Sequence, residues 1–405
     1  MTTPDEKQAA QRDFPMRRQC PFSPPEEYAQ LREEGPLARV TLPTGRQAWV
    51  VTRHAEVQQV LADPRISTDL TYPGFPLLTD DPGMQQYELH EGEFFNMDPP
   101  EHDVYRRMLI PEFSVKRVRA LRPGIQSMMD GLVDRMLAQG PPADLAESFA
   151  LVVPSLGICQ LLGVSYDDHE FFQDRIRSRK MMDSEQMRNS VEELRAYTDE
   201  AITRSEQQPG DDLIGRLVTE RIATGEVTHE AAVGMVLQLL IAAHETTANM
   251  IMLGTLTLLR HPQQLAELRS DASLWPGAVE ELLRYHTIAD GPTFTRIAKG
   301  DIEVGDQVIR DGDGVFALCA SANHDERAFE RAGEFDIHRN ARHHVAFGYG
   351  VHQCLGQNLA RAWLETAYET LFRRVPTLRL AVDVDDLEFK YDAAIFGIDE
   401  FPVAW

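Results

Sequence analysis

The 405-residue chain is short of basic residues, of paired cysteines and of long apolar runs. Lys and Arg total 40 against 64 Asp and Glu, a formal net charge of −24. A field of that sign repels phosphate backbones and anionic lipid, so neither nucleic acid nor a membrane is expected as a partner. The four cysteines, Cys20, Cys159, Cys319 and Cys354, are far apart with no CxxC pair, which excludes a disulfide framework and a structural zinc site. The apolar run at 235–243 is interrupted by Gln238 and is far shorter than the roughly 20 residues of a membrane span. The opening MTTPDEKQAAQRDF has no apolar signal core. The expectation is a soluble, cytoplasmic enzyme. Hydrophobic residues make up 43%, enough for a core at a length where roughly three quarters of the unfolded surface can be buried.

Length alone allows two or three domains, yet no repeat, low-complexity segment or linker divides the chain, and one domain over 1–405 is expected. Alternating apolar residues in LARVTLP and QAWVVT, split by Pro43 to Gly45, suggest a hairpin. HAEVQQVLADP reads as a short helix stopped by Pro64. Residues 71–96 are irregular, aromatic and rich in Gly and Pro, the composition of a functional loop. Helical periodicity dominates from 99 to 283, with breaks at QGPPAD, QQPGDD and HPQQ. Strand-like DIEVGDQVI and VFALCA, a polar meander and a last long helix over 354–373 follow. The fold class is mainly α with small β-sheets.

The most informative stretch is 347–356, FGYGVHQCLG. Gly348, Gly350 and Gly356 permit a tight loop leading into a helix. Cys354 is expected at that helix's N-terminus, where unpaired N–H groups and the positive dipole end favour a thiolate. Phe347 is placed to shield it and His352 to reach an anion. Taken alone, Cys354 is as readily a small buried hydrophobe. The whole pattern FxxGxHxCxG resembles the haem-binding signature of cytochrome P-450, in which a Cys thiolate ligates the iron. Haem is then expected between a distal helix at 230–260 and a proximal helix starting at Cys354.

Three further segments carry the resemblance. EELLR places Glu281 and Arg284 on one helix face. In the family the matching pair joins a buried network with an Arg of the later meander, here Arg339 of FDIHR. DPPEHDVYRR reads as a helix start capped by Asp98 and Glu101. Its His102 and Arg106 match the family's ligands for a haem propionate, Arg296 of FTR matches another, and His352 completes the cations. Phe347, Gly348 and Cys354 belong to the same cofactor loop.

LLIAAHETTANM, 239–250, sets Glu245–Thr246 in an apolar helix, an expensive pair unless satisfied. Taken alone, Thr246 bonds back to the preceding turn and Glu245 pairs with a cation. By resemblance the two are the distal acid–alcohol pair that delivers protons to dioxygen. O–O cleavage takes two protons; a hydroxyl can donate a hydrogen bond and a carboxylate can relay from solvent. One departure is Ala243, where the family usually has Gly. The extra methyl is expected to narrow the oxygen pocket or restrain the local bulge while leaving the relay in place.

The resemblance spans most of the chain. GPLARVTLPTGRQAWVVT, FSVKRVRALRP, ICQLLGV, DDHEFFQD, PGAVEELLRY and ARHHVAFGYGVHQCLGQNLAR are similar to the soluble actinobacterial cytochromes P-450. Within these, the branch hydroxylating sulfonylureas, secosteroids, statin precursors and macrolides is the most similar. It implies haem b, O2 as co-substrate, and hydroxylation of a bulky apolar secondary metabolite or xenobiotic. It also implies electrons from NAD(P)H through a ferredoxin reductase and ferredoxin, since the chain has no flavin, dinucleotide or iron–sulfur segment.

By the same analogy the pocket involves 71–96, 171–182, Thr247, and Phe94, Phe95, Met181, Met182, Leu240, Ala243, Thr293, Phe294, Ile395 and Phe396. Ordinary core packing accounts for each equally well. Arg107, Lys116, Arg117, Arg119, Arg342 and His343 form a candidate basic patch for an acidic ferredoxin, with scattered solubilising cations as the plain alternative. A monomer is expected. Other classes also stand: a same-fold oxidase or peroxide-using enzyme, and a haem carrier or sensor without turnover. A cysteine hydrolase built on His352 and Cys354 lacks an orienting Asp or Asn.

Overall fold

The computed structural model describes residues 12–81, 88–165, 171 and 184–405. Met181 and Met182, read from the sequence as pocket walls, lie outside the described residues.

The central element is the helix His229–Arg260. Thr228 starts it from an extended backbone, its hydroxyl accepting the Ala231 N–H, and Pro262 follows its end. The helix packs against Val152–Leu162, Ser184–Gln207 and the last helix, Gln357–Arg374. The apolar stretch read at 235–243 is part of a longer one. By length and hydropathy this helix is long and apolar enough to cross a membrane, but 67% of the qualifying stretch is buried inside the protein. Val115–Gln139, capped by Ser114 accepting from Arg117 N–H, lies along the last helix.

A five-stranded sheet stands to one side, in the order Leu37–Thr41, Gln47–Val51, Gly314–Ala317, Thr295–Ala298, Ile66–Ser67. The first pair is the expected hairpin, with Leu37 opposite Val51 and Thr41 opposite Gln47. Gln47–Val51 then runs parallel to Gly314–Ala317, and the remaining pairs are antiparallel. The strand Thr295–Ala298 is what carries Arg296. Ala143–Asp144, Pro402–Ala404 and Arg379–Leu380 form a second small sheet.

The helix Glu101–Leu109 does not begin as its sequence suggests. No side chain caps it, and Asp98 is occupied elsewhere, accepting from Ser67 Oγ at 2.6 Å and Lys299 Nζ at 3.0 Å. Only the Asp98 carbonyl serves the helix, accepting the His102 N–H at 3.0 Å.

Two adjacent carboxylates on Trp275–His286 fix the region that follows. Glu281 and Arg284 are both 0% exposed and paired twice, Nε to Oε2 at 2.7 Å and Nη2 to Oε1 at 2.8 Å. Arg284 also donates to the carbonyls of Asn323 and Ala332, at 2.7 and 2.8 Å. Arg339 Nε reaches Glu281 Oε1 at 3.1 Å. Glu280 faces the last helix, accepting from Arg361 Nε at 2.5 Å and lying 3.1 Å from His344 Nε2. Burial raises the Glu280 carboxyl, but the bonds from His344 and Arg361 outweigh it and bring the pKa down to about 2.

Removing one partner of a buried pair leaves the other charge unpaired, at about 3–5 kcal/mol. Glu281→Ala is therefore expected to give little folded, haem-loaded protein, measured as soluble yield and haem content; a stable, fully loaded product contradicts the structural role. Burial pushes both His286 and His324 down to about 3. The unfolded chain takes up their protons near pH 6.5 and the folded chain does not, so this stability is intact above pH 6.5 and is lost on acidification. The slope is about 1.4 kcal/mol per pH unit for each residue. Denaturant unfolding across pH 7.5 to 4.5 should show the fall, and His324→Asn should flatten it; equal slopes would count against the buried neutral imidazole.

Candidate active site

The FGYGVHQCLG loop closes on itself through Cys354 N–H donating to the Phe347 carbonyl at 2.8 Å. Two of its glycines are structurally required. Gly348, at φ 70°, would bring a Cβ to 2.9 Å from Phe294 Cε1, and Gly350, at φ 73°, to 2.3 Å from the Leu61 carbonyl oxygen. Val345 N–H, just before the loop, donates to Asn323 Oδ1 at 2.8 Å, so the loop hangs from the segment that Arg284 holds. The last helix starts at Gln357, with Gly356 as N-cap, and Cys354 stands just ahead of it rather than opening it. Burial pushes the Cys354 thiol up, against the opposing pull of the Gly356 amide and the Arg106 and Arg361 cations. Cys354 is itself exposed towards the cavity, so the Gly356 amide and the two cations remain the interactions that favour a thiolate there.

Cys354 opens into a cavity of about 700 Å³ under the central helix. The helix contributes Leu239, Ala242, Ala243, Thr246, Thr247 and Met250, the three- and four-residue spacing of a single face. Phe347, His352, Cys354 and Leu355 line the opposite side. Phe75, Leu77 and Leu78 of the 71–96 loop, with Phe95, Thr293 and Phe294, add largely apolar wall. Of the four cysteines, Cys354 alone lines this space.

Basic side chains gather at its edge. Arg106, Arg296 and His352 line the cavity, and the His102 ring lies 4.3 Å from that of His352. Burial and the neighbouring Arg296 and His102 push His352 down to about 3, and burial lowers Arg296 to about 10. Asp98, the acid acting on both, is already bonded to Ser67, Thr68 and Lys299. His102 Nδ1 is 2.9 Å from Asp103, while its Nε2 is buried without a hydrogen-bond partner among the described residues. Repelling cations, an orphaned imidazole nitrogen, apolar walls and a soft thiol fit a flat, apolar cofactor with carboxylate tails and a thiophilic metal, which is haem.

On the distal side Thr246 Oγ1 donates back to the Ala242 carbonyl at 3.0 Å. Glu245 faces away from the cavity, with Oε1 3.7 Å from Lys390 Nζ. The plain alternatives read from the sequence, a back-bonded Thr and a cation-paired Glu, are both realised. Ala243 lines the cavity, and the helix is continuous through it.

Four suggested pocket residues fall outside the lining. Phe94 is fully buried, edge-on to Phe95 at 4.7 Å, and supports that wall from behind. Leu240 follows Leu239 by one position and so points into the core. Ile395 is bridged to Ala289, which lines the cavity in its stead. Phe396 stacks on Phe389 and lies under Arg18, 4.5 Å away. Of the suggested basic patch, Arg107, Lys116, Arg119, Arg342 and His343 are exposed, and Arg117 lies 3.4 Å from Glu112. His343 stacks on Phe329 at 4.3 Å. Sequence reading missed Glu280, Arg361 and His344, though EE ahead of LLR hinted at a second buried acid. It also missed Lys390, which no local pattern signals.

Comparison with known proteins agrees with this geometry. The cytochrome P450 family model matches residues 179–376. The chain is 49% identical over 396 residues to the vitamin D3 dihydroxylase of Streptomyces griseolus, covering 97% of this chain and 96% of that protein. It is 48% identical over 409 residues to the pentalenic acid synthase of Streptomyces avermitilis, covering 100% of both. The crystal structure of the mycinamicin VIII C21 methyl hydroxylase of Micromonospora griseorubida, bound to mycinamicin VIII, superposes with a TM-score of 0.91 at 45% identity, covering 97% of this chain and 100% of that one. A thiol facing a hydroxyl-bearing helix across a cation-rimmed cavity, in a chain so similar throughout, leaves one conclusion: the chain belongs to the cytochrome P450 family and is a monooxygenase with a cysteine-ligated haem iron and O2 as co-substrate.

Proposed function

We propose that this P450 acts as one cytoplasmic domain, a monomer, hydroxylating a bulky apolar small molecule of secondary metabolism or a xenobiotic. Electrons would come from NAD(P)H through a ferredoxin reductase and a ferredoxin. The observation that carries the substrate class is the apolar wall that the central helix and the 71–96 loop give to a cavity of about 700 Å³, a volume the substrate would share with haem. Among the described residues its lining offers no carboxylate, and its basic residues sit at the cofactor edge. The names of the relatives point the same way, to vitamin D3 and to a mycinamicin.

In this reading Cys354 would hold the haem iron as a thiolate, the metal's charge favouring loss of its proton. Haem, when bound, activates dioxygen for insertion into a C–H bond. Arg106, Arg296, His102 and His352 hold its carboxylates, and the buried His102 Nε2 gains the partner it lacks. Phe347 would shield the group beside Cys354, Gly348 would shape the loop that carries them, and Ala243 would bound the space left for dioxygen. Glu245 takes protons from the solvent side and Thr246, on the cavity side, hands them on. Phe95, Thr293 and Phe294 select the substrate's shape. Arg107, Lys116, Arg119 and Arg342 offer charge to an acidic ferredoxin.

An optical titration of the ferric protein against a library of bulky apolar natural products tests the substrate class. A shift to high spin is expected with macrolide- or secosteroid-sized skeletons. Response only to small polar or charged compounds would contradict the generous apolar pocket.

A further inference from the structure

We propose that Lys390 is a positioning residue for the acid–alcohol pair, its buried ammonium holding the Glu245 carboxylate in its solvent-side position. The inference rests on reading Glu245–Thr246 as the proton relay.

Lys390 belongs to a hairpin near the C-terminus, where Phe389 pairs with Ile398 and Lys390 N–H donates to the Gly397 carbonyl at 2.9 Å. Its side chain is only 5% exposed. Taking an ammonium out of water is unfavourable unless charges and acceptors surround it, and they do. Nζ lies 3.0 Å from Asn249 Oδ1, 3.7 Å from Glu245 Oε1 and 3.9 Å from Asp399 Oδ1. Glu245 and Asn249 are one turn apart on the central helix, so the ammonium covers a single turn there. The approach depends on Gly397, since a Cβ at that position would lie 2.2 Å from Asn249 Cγ. The hairpin is therefore shaped to deliver this ammonium to the turn that carries the relay acid.

The distances divide the labour. Asn249 makes the hydrogen bond that fixes Lys390. Glu245 is attracted by charge alone, and its buried Oε1 has no hydrogen-bond partner among the described residues. The ammonium thus orients the carboxylate without occupying the oxygen that must accept a proton. One proton enters Glu245 from solvent, and Thr246 passes one into the cavity as it takes one from Glu245. Neither side chain changes its proton count over the cycle. The charged groups that the described residues set against Glu245 are Lys390 and, beyond it, Asp399, whose side chain is 42% exposed. The neighbouring His244 is turned to Ser155 Oγ at 2.7 Å, on Val152–Leu162.

The test uses the haem-loaded protein. Infrared difference spectra of wild type against Glu245→Gln isolate the Glu245 carboxylate band; Lys390→Met against Lys390→Met/Glu245→Gln isolates it without the ammonium. The band is expected to shift in Lys390→Met, as the carboxylate loses its neighbouring cation, and to return in Lys390→Arg. A second readout is substrate-free NADPH oxidation driven by a plant-type ferredoxin and its reductase. Its solvent deuterium isotope effect should increase in Lys390→Met and not in Lys390→Arg. An unmoved carboxylate band, or an isotope effect equal to wild type, overturns the role of Lys390. If Glu245→Gln itself leaves the oxidation rate and isotope effect unchanged, it is the relay reading that fails. Should Lys390→Met not fold, Lys390→Gln, which can still donate to Asn249, carries the same expectations.

Discussion

Arg284 sits without solvent exposure between the Glu281 carboxylate and the backbone carbonyls of the following meander. A buried pair of this kind adds little net stability over apolar packing of the same volume, but it fixes geometry, because a displaced partner leaves a bare charge. The Asn323 whose carbonyl accepts from Arg284 also holds Val345 N–H through its side chain. Glu280, one residue before Glu281, grips Arg361 on the last helix and lies against His344. The thiolate loop is thereby tethered at its entrance and from the helix behind it. The position of Cys354 follows from those two carboxylates.

The electrostatics of the cavity divide in the same orderly way. Basic side chains converge on the edge beside Cys354, where burial lowers the pKa of His102, Arg296 and His352. The distal helix presents methyls and hydroxyls to the interior and places Glu245 behind the wall, against a lysine. Charge is thus kept out of the volume that an apolar substrate fills.

Much of this was legible in the sequence where short-range patterns decide the outcome. The hairpin at 37–51, the glycine-dependent loop and the Glu281–Arg284 spacing depend on neighbours a few residues apart, and Arg339 came with the resemblance. What escaped depends on direction or on distant packing. Leu240 was placed in the wall because a pattern fixes a segment's location but not the one-residue rotation that turned Leu239 inward instead. Phe396 and Ile395 were misassigned because a hairpin's crossing decides which side chain faces the cavity. Asp98 looked like a cap and became an acceptor for Ser67 and Lys299, residues that only tertiary packing brings near. The dipole argument for Cys354 was sound locally and incomplete, since ten residues do not show that Cys354 stands just ahead of the helix rather than opening it. Lys390 had no signal at all, because its contact with Glu245 exists only once the C-terminal hairpin closes over the helix.

The central claim is that Cys354 is the proximal thiolate, and the ferrous–CO spectrum tests it most directly. The purified protein should show the long-wavelength band of a thiolate-ligated haem, and Cys354→Ser should lose that band while retaining haem in a folded protein. Retention of the band in Cys354→Ser would remove Cys354 as the ligand and contradict the account.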